Sequence, residues 1–305
     1  MTLRELQYLL ALKEHRSFRR AAEVCLVSQP TLSMQLRKLE EELGVTLIER
    51  APRRVMLTPV GEKIVSCAER AMSEIDQIKD IARQAQTPDA GLLRLGVFPT
   101  LGPYLLPSLV PQLRQQLPKV ELHLIEEKSD NLIERLRDGR LDAALLALPV
   151  IDDGFDIAEL FEEHFLLAVP AAHELASRTT LSADELGEQE LMLLEEGHCL
   201  RDQAISLCER TGAHETSEFR ATSLETLRQM VVAGVGITLL PALSTRISHS
   251  YDDSIKLLSF SDSQPPSRTI GMVWRKSSTM VPILRQVAEV AQKVASDMLG
   301  AKAEV

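Results

Sequence analysis

Two cysteines nine positions apart, Cys199 and Cys208, are where this chain's residue types come closest to a reaction. Thiolates attack oxidants and bind soft metals, but free cysteine is commonly buried, so the residues alone favour inert core thiols over a redox device, and a redox device over part of a metal site. The run from Gly197 to Cys208 sets Cys199 near the start of a predicted helix, with His198 and Arg201 close in sequence. That setting favours thiolate and so peroxide reactivity. Cys208, between Leu207 and Glu209, lacks such help, which divides the pair into a candidate attacking thiol and a candidate resolving one. If 199–208 is helical, nine residues turn through roughly 900° and hold the two Cα atoms roughly 13–14 Å apart. A disulfide tolerates only about 4.4–6.8 Å. Any pairing therefore dismantles the helix and makes a conformational switch. As a zinc site, His198, Cys199 and Cys208 supply too few ligands in no standard spacing; neither a metal nor another cofactor is expected.

The elements that must position these thiols are read from periodicity. After Gly91, short apolar strands alternate with amphipathic helices: a strand at Leu92–Phe98, a helix at Tyr104–Gln116, a strand at Val120–Glu126, a helix at Asn131–Asp138 and a buried strand at Leu141–Ala147. This βαβαβ order implies a parallel sheet with right-handed crossovers. A second series has strands at Phe165–Pro170, Leu191–Leu194 and Ile237–Leu240, with helices around Arg201–Arg210 and Ser223–Ala233. A strand at Ser267–Arg275 then returns to the first series before a closing helix from Val281 to about Leu299. Two such α/β lobes enclose a cleft, and ligands in these folds sit beyond the carboxyl ends of strands, which places Thr100 and Gly102 near it.

The first sixty residues are different in kind. They carry ten Lys/Arg against seven Asp/Glu, a net +3 inside a chain whose total is −10, so the remainder holds −13. A weakly basic front on an acidic body suggests that only the front meets a polyanion. A helical stripe at Leu3, Leu6, Leu9, Leu10 and Ala11 leaves Glu5, Lys13 and Glu14 on the wet side. Ser17 caps a second helix, Phe18–Val24, and Ser28 with Pro30 starts a third that runs to Leu43 and stops at Gly44. Two short helices with a tight joint spell helix-turn-helix. On the third helix Leu32, Leu36, Leu39 and Leu43 face the core. Gln29, Pro30, Thr31, Ser33, Met34, Arg37 and Lys38 are then left to read base edges and phosphates of double-stranded DNA. The stretch 47–58 alternates β-prone and cationic residues, as a wing whose tip points Arg50, Arg53 and Arg54 at the phosphate backbone.

From Ile64, small or branched apolar residues recur at Ala68, Ala71, Ile75, Ile78, Ala82 and Ala85, in steps of four and three. So narrow a strip suits a coiled-coil seam with a second copy of the chain, and a two-fold dimer predicts an inverted-repeat operator. Residues 87–91 end the helix. Cys25 is expected on the core side of the second helix and Cys67 beside the seam. The boundaries follow: 1–60 a winged helix-turn-helix, 61–88 a linker helix, 89–305 an effector domain, with lobe I at about 89–162 and 267–305 and lobe II at about 163–266. No apolar run approaches the ~18 residues of a membrane span, and the first twenty residues are too charged for a signal peptide. A cytoplasmic location with reduced cysteines is the expectation.

The blocks Phe18-Arg-Arg-Ala-Ala22, Val27-Ser-Gln-Pro-Thr-Leu-Ser33, Leu36-Arg-Lys-Leu-Glu40, Leu43-Gly44 and Leu57-Thr-Pro-Val-Gly61 resemble the amino-terminal domain of LysR-type transcriptional regulators. That resemblance implies an α/β class overall: a mainly α winged helix-turn-helix with a linker helix, then a two-lobed effector domain like a periplasmic binding protein. Glu196-Gly-His-Cys-Leu-Arg-Asp-Gln203 with Cys208, Ser223-Leu-Glu-Thr-Leu227 and Gly236-Ile-Thr-Leu-Leu-Pro241 are similar to the hydrogen-peroxide-sensing members of the type, from Leu3 to the last helix. It implies that Cys199 is peroxidatic and passes through sulfenic acid, that Cys208 is its disulfide partner, and that Thr100, Ser129, His198 and Arg268 bind peroxide. Ser129 departs from the threonine of better-known relatives; the hydroxyl remains and a packing methyl is lost. The resemblance further implies a homodimer or homotetramer, contact with RNA polymerase at antioxidant promoters, and reduction by glutaredoxin or thioredoxin. The chain is then no enzyme. A LysR-type regulator sensing a small organic metabolite in the cleft is one alternative, and a thiol peroxidase is another.

Overall fold

The computed structural model describes residues 1–51, 54–86, 91–187, 189–246 and 254–300. It divides into two compact units, Met1–Pro88 with Asp138–Arg140, and Asp89–Arg137 with Leu141–Val305.

In the first unit, α1 (Leu3–His15) starts on a capping box in which Thr2 accepts from the Glu5 amide and Glu5 accepts from the Thr2 amide. Glu5 is thereby drawn into the core while Leu3 is left exposed, both contrary to expectation, although Leu6, Leu9 and Ala11 of the expected stripe are buried. Ser17 caps α2 (Phe18–Val24), and Ser28 caps α3 (Gln29–Leu43), which ends on the left-handed Gly44. Leu32, Leu36 and Leu39 are fully buried against α1 and α2. Leu43 is 37% exposed, contrary to expectation, because it is the last residue before the chain turns away at Gly44. Cys25 packs against this core, and Cys67 is exposed on α4. Strands β1 (Ile48–Ala51) and β2 (Arg54–Leu57) form an antiparallel hairpin. Then α4 (Pro59–Gln86) begins where the Thr58 hydroxyl accepts from the Gly61 amide.

In the second unit, β3 (Gly91–Val97), α5 (Gly102–Gln116), β4 (Val120–Glu126), α6 (Ser129–Arg137) and β5 (Ala143–Ala147) form a parallel βαβαβ with β3 between β4 and β5. Strand β6 (Phe155–Pro170) runs sixteen residues through both lobes. The second lobe adds β7 (Thr180–Leu181), β8 (Glu190–Leu194), α7 (Cys199–Thr211), β9 (His214–Ala221), α8 (Leu224–Val232), β10 (Thr238–Pro241) and β11 (Ile255–Phe260). Strand β12 (Ser267–Arg275) returns to pair antiparallel with β5 and β6, and α9 (Val281–Gly300) covers the first lobe. Each lobe has its own hydrophobic core, and Tyr104 of α5 packs against both. Sequence periodicity started β6 only at Phe165 and omitted β7, β9 and β11. The first half of β6 carries Asp156, Glu159, Glu162 and Glu163, so it reads by composition as an acidic loop. Pairing with β12 along its length overrides that local signal.

Candidate redox site and nucleic-acid interface

The site grows from one buried cation. Arg268, second residue of β12, lies opposite Glu163 of β6 in the strand register, which brings guanidinium and carboxylate face to face. Arg268 Nε donates to Glu163 Oε2 at 2.8 Å, and Nη2 lies 2.7 Å from the same oxygen. Both side chains are wholly buried, where a charge persists only if paired. The other Glu163 oxygen accepts from the Leu243 amide at 2.8 Å. Arg268 then reaches the turn after β3: Nη1 donates to Thr100 Oγ1 at 2.9 Å and Nη2 to the Thr100 carbonyl at 3.1 Å. The rings of Phe98 and Phe165 lie 5.1 and 5.9 Å from the guanidinium carbon and complete a dry cation box. With Thr100 Oγ1 accepting from the arginine, the hydroxyl proton is left to donate elsewhere.

Cys199 opens α7, with His198 at its cap position, and both thiols are free. Burial pushes the Cys199 thiol above its usual range; the Arg268 charge, the Ser129 hydroxyl and the Leu200 amide pull it back only in part, and Asp202 opposes them. The expectation of a thiolate favoured by His198 and Arg201 is thus corrected. Arg201 is spent on a two-pronged pair with Glu215 and on the Leu194 carbonyl. His198 is held below its ordinary pKa by burial first and by Lys128 second, against Glu195. The cation that does reach the sulfur comes from residue 268. His198 Nε2 and Ser129 Oγ are buried polar atoms without a well-formed hydrogen bond to protein nitrogen or oxygen, and the Ser129 hydroxyl acts on the Cys199 sulfur. A small molecule with both donors and acceptors suits such a lining.

Cys208 is not brought into this pocket. It lies nine residues along the same unbroken helix, inside the second lobe's core, whereas Cys199 packs against the first lobe's core. Burial raises the Cys208 thiol as well, with Glu215 and Glu209 adding to the effect. Thr100, Ser129, Cys199 and Arg268 therefore converge, with His198 beside them in the chain. Sequence reasoning missed Glu163, Phe98, Phe165 and Lys128. The run 155–164 breaks alternation at Ile157-Ala158, Leu160-Phe161 and Glu162-Glu163, so it gave no clear strand signal for Glu163, and its partner, 105 positions away, was not visible. Among the described residues no cluster of three or more His, Cys, Asp or Glu is arranged to hold a metal, and no helix is long and apolar enough to cross a membrane.

In the first unit, α3 exposes Gln29, Pro30, Met34, Arg37 and Lys38, while Thr31 and Ser33 are half-buried. The Thr31 hydroxyl is engaged with Ser28 Oγ at 2.7 Å, and Lys38 lies 3.5 Å from the buried Glu5 carboxylate. The hairpin sets Arg50 opposite Val55 and Arg54 opposite Ala51. Arg53 and residues 87–90, expected to end the linker, lie outside the described residues.

The chain matches two family models: the bacterial regulatory helix-turn-helix protein, lysR family, over residues 3–62, and the LysR substrate binding domain over residues 86–296. It is 46% identical over 289 residues to the DNA-binding transcriptional dual regulator OxyR of Escherichia coli K12, covering 95% of this chain and 94% of that one. Among solved structures it resembles a full-length cysteine-to-aspartate variant of OxyR from Pseudomonas aeruginosa, with 36% identity, TM-score 0.76 and coverage of 96% and 95%. It also resembles a crystal structure of the oxidized form of OxyR, with 43% identity and TM-score 0.61, over 68% of this chain and 97% of that one.

Proposed function

The chain belongs to the LysR family of bacterial helix-turn-helix transcription regulators, and we propose that its signal, hydrogen peroxide, is read by Cys199 with Cys208 as disulfide partner. The observation that carries this reading is the placement of two free thiols in different cores at one helix, with Cys199 beside the Arg268–Thr100 pair. Peroxide accepts from Arg268 and Thr100 and meets His198 Nε2 and the Ser129 hydroxyl beside the sulfur, all of which orient it against Cys199. The Cys199 thiolate attacks one oxygen, the O–O bond breaks, and hydroxide leaves and collects the thiol's proton as water. Sulfur is oxidised to sulfenic acid. Cys208 sulfur then attacks that sulfur: an S–S bond forms, the S–O bond breaks, and the oxygen leaves with the Cys208 proton as a second water. Two thiols and one peroxide have become a disulfide and two waters.

Because α7 keeps the thiols roughly 13–14 Å apart at the backbone, the second step requires its first turns to unwind. That rearrangement is the output. The 1–60 module meets an inverted-repeat operator through Gln29, Pro30, Thr31, Ser33, Met34, Arg37 and Lys38, with Arg50, Arg53 and Arg54 toward phosphates. The 61–88 helix pairs with a second copy, consistent with Ile78 standing 65% exposed on α4. The 89–305 body senses peroxide. A dimer or tetramer, contact with RNA polymerase, and re-reduction by a glutaredoxin or thioredoxin dithiol complete the cycle. Thiol connectivity mapped by mass spectrometry before and after dilute peroxide tests the reading. A Cys199–Cys208 link is the expected product, and two unlinked thiols at full oxidant exposure overturn it.

A further inference from the structure

A second cation, outside the peroxide pocket, joins the two segments that the pocket needs. Lys128 immediately precedes Ser129 at the start of α6 in the first lobe. Its Nζ donates to Glu195 Oε1 at 2.5 Å and to the Glu196 carbonyl at 2.8 Å, both in the loop that leads into Cys199. Its aliphatic stem lies along Gly197, whose φ of +87° is a left-handed conformation suited to glycine. A Cβ at Gly197 would stand 3.0 Å from Lys128 Cδ, so loop and lysine are in close packing as well as ionic contact. One side chain thus spans from the Ser129 segment to the Cys199 segment, across the two lobes.

We propose that Lys128 is a positioning residue that latches the 195–198 loop in the dithiol form and is released when the disulfide forms. The inference rests on the Cys199–Cys208 reading above. A contact made in only one of two states biases their equilibrium by its full net worth. For the Cys199 sulfur to reach Cys208, the segment upstream of α7 has to move with it. The Lys128 contacts then belong to the reduced state alone. They hold the thiol in register with Ser129, and they raise the oxidant pressure needed to trip the switch.

The test equilibrates the full chain with mixtures of glutathione and glutathione disulfide. In this exchange two glutathione thiols reduce the protein disulfide and leave as one glutathione disulfide. The oxidised fraction is read by thiol trapping for the wild type, Lys128→Met, which keeps the stem and removes the charge, and Lys128→Arg, which keeps the charge. Lys128→Met should shift the equilibrium toward disulfide by roughly threefold to tenfold, the scale of a part-exposed ion pair with one charged hydrogen bond. Lys128→Arg should stay near the wild type. A Lys128→Met equilibrium equal to wild type, or displaced toward dithiol, overturns the latch while leaving the sensor reading intact. A wild type that forms no Cys199–Cys208 disulfide in any mixture overturns both.

Discussion

Cys199 and Cys208 sit on one continuous helix yet pack into different hydrophobic cores, the first against lobe I and the second within lobe II. On the proposed switch, forming their bond costs packing in both lobes, and each cysteine has a separable role. Cys199→Ser should abolish the peroxide response and leave operator affinity unchanged. Cys208→Ser should still form a sulfenic acid at Cys199, detectable by dimedone labelling and mass spectrometry, but no internal disulfide. A full transcriptional response in Cys199→Ser would count against the assignment.

Arg268 and Glu163 neutralise each other with no exposure to water. Removing one partner strands the other, so Arg268→Met should cost about 3–5 kcal/mol in urea unfolding. It should also slow the peroxide reaction of Cys199, because the Arg268 charge is the leading influence holding that thiol down. An unfolding midpoint equal to wild type would show that the pair is not the buried unit described.

The two titrations of the site run in opposite senses. Burial raises Cys199, so its thiolate fraction, and with it the rate with peroxide, should still be climbing past pH 8.5 in stopped-flow measurements; a plateau below pH 7 contradicts this. His198 is lowered from its ordinary 6.5. Its unfolded form binds a proton that the folded form refuses, so its contribution to stability is present above pH 6.5 and lost as pH falls through the lowered value. Between pH 7.5 and 5, wild type should lose more stability than His198→Asn.

On the DNA side, Arg37 is an exposed cation on the outer face of α3. Arg37→Ala should weaken operator binding by about 1–3 kcal/mol if it reads a base, or lower the salt slope by about 1 if it holds a phosphate. Unchanged affinity across a salt series would remove α3's outer face from the interface.

The linker seam has its own test. Ile78 is 65% exposed on α4, and Ile78→Glu should place two like charges in the seam of a pair. Sedimentation should then show a weaker dimer with each unit still folded; an unaltered dimer would move the interface elsewhere.

Much of this architecture was legible because it is written locally. Ser17 and Ser28 announce their helices, Gly44 ends one, and the alternation of strand and helix from Gly91 to Ala147 needs no partner to be seen. The first half of β6, with its acidic residues, could not be told from a loop, because the strand that makes it a strand lies more than a hundred residues on. The site divides the same way. Thr100 followed from its place after a predicted strand and His198 from its place beside Cys199, but Ser129 and Arg268 came through resemblance, and Glu163 and Lys128 through neither. Their meaning rests on contacts that close loops of 105 and 67 residues. The thiolate expectation failed for a related reason: proximity in sequence put Arg201 near Cys199, while the fold turned its guanidinium to Glu215.

The first lobe is finished last: β12 and α9 follow every strand and helix of the second lobe. On the ribosome, Cys199 is therefore made while Arg268 is still to come. A nascent chain that has reached Cys199 holds Thr100, Phe98 and Phe165 already, but not the cation they are arranged to receive. The order of synthesis thus leaves the charge to the last: Glu163, Thr100 and Cys199 are all in place before the residue that links them is added.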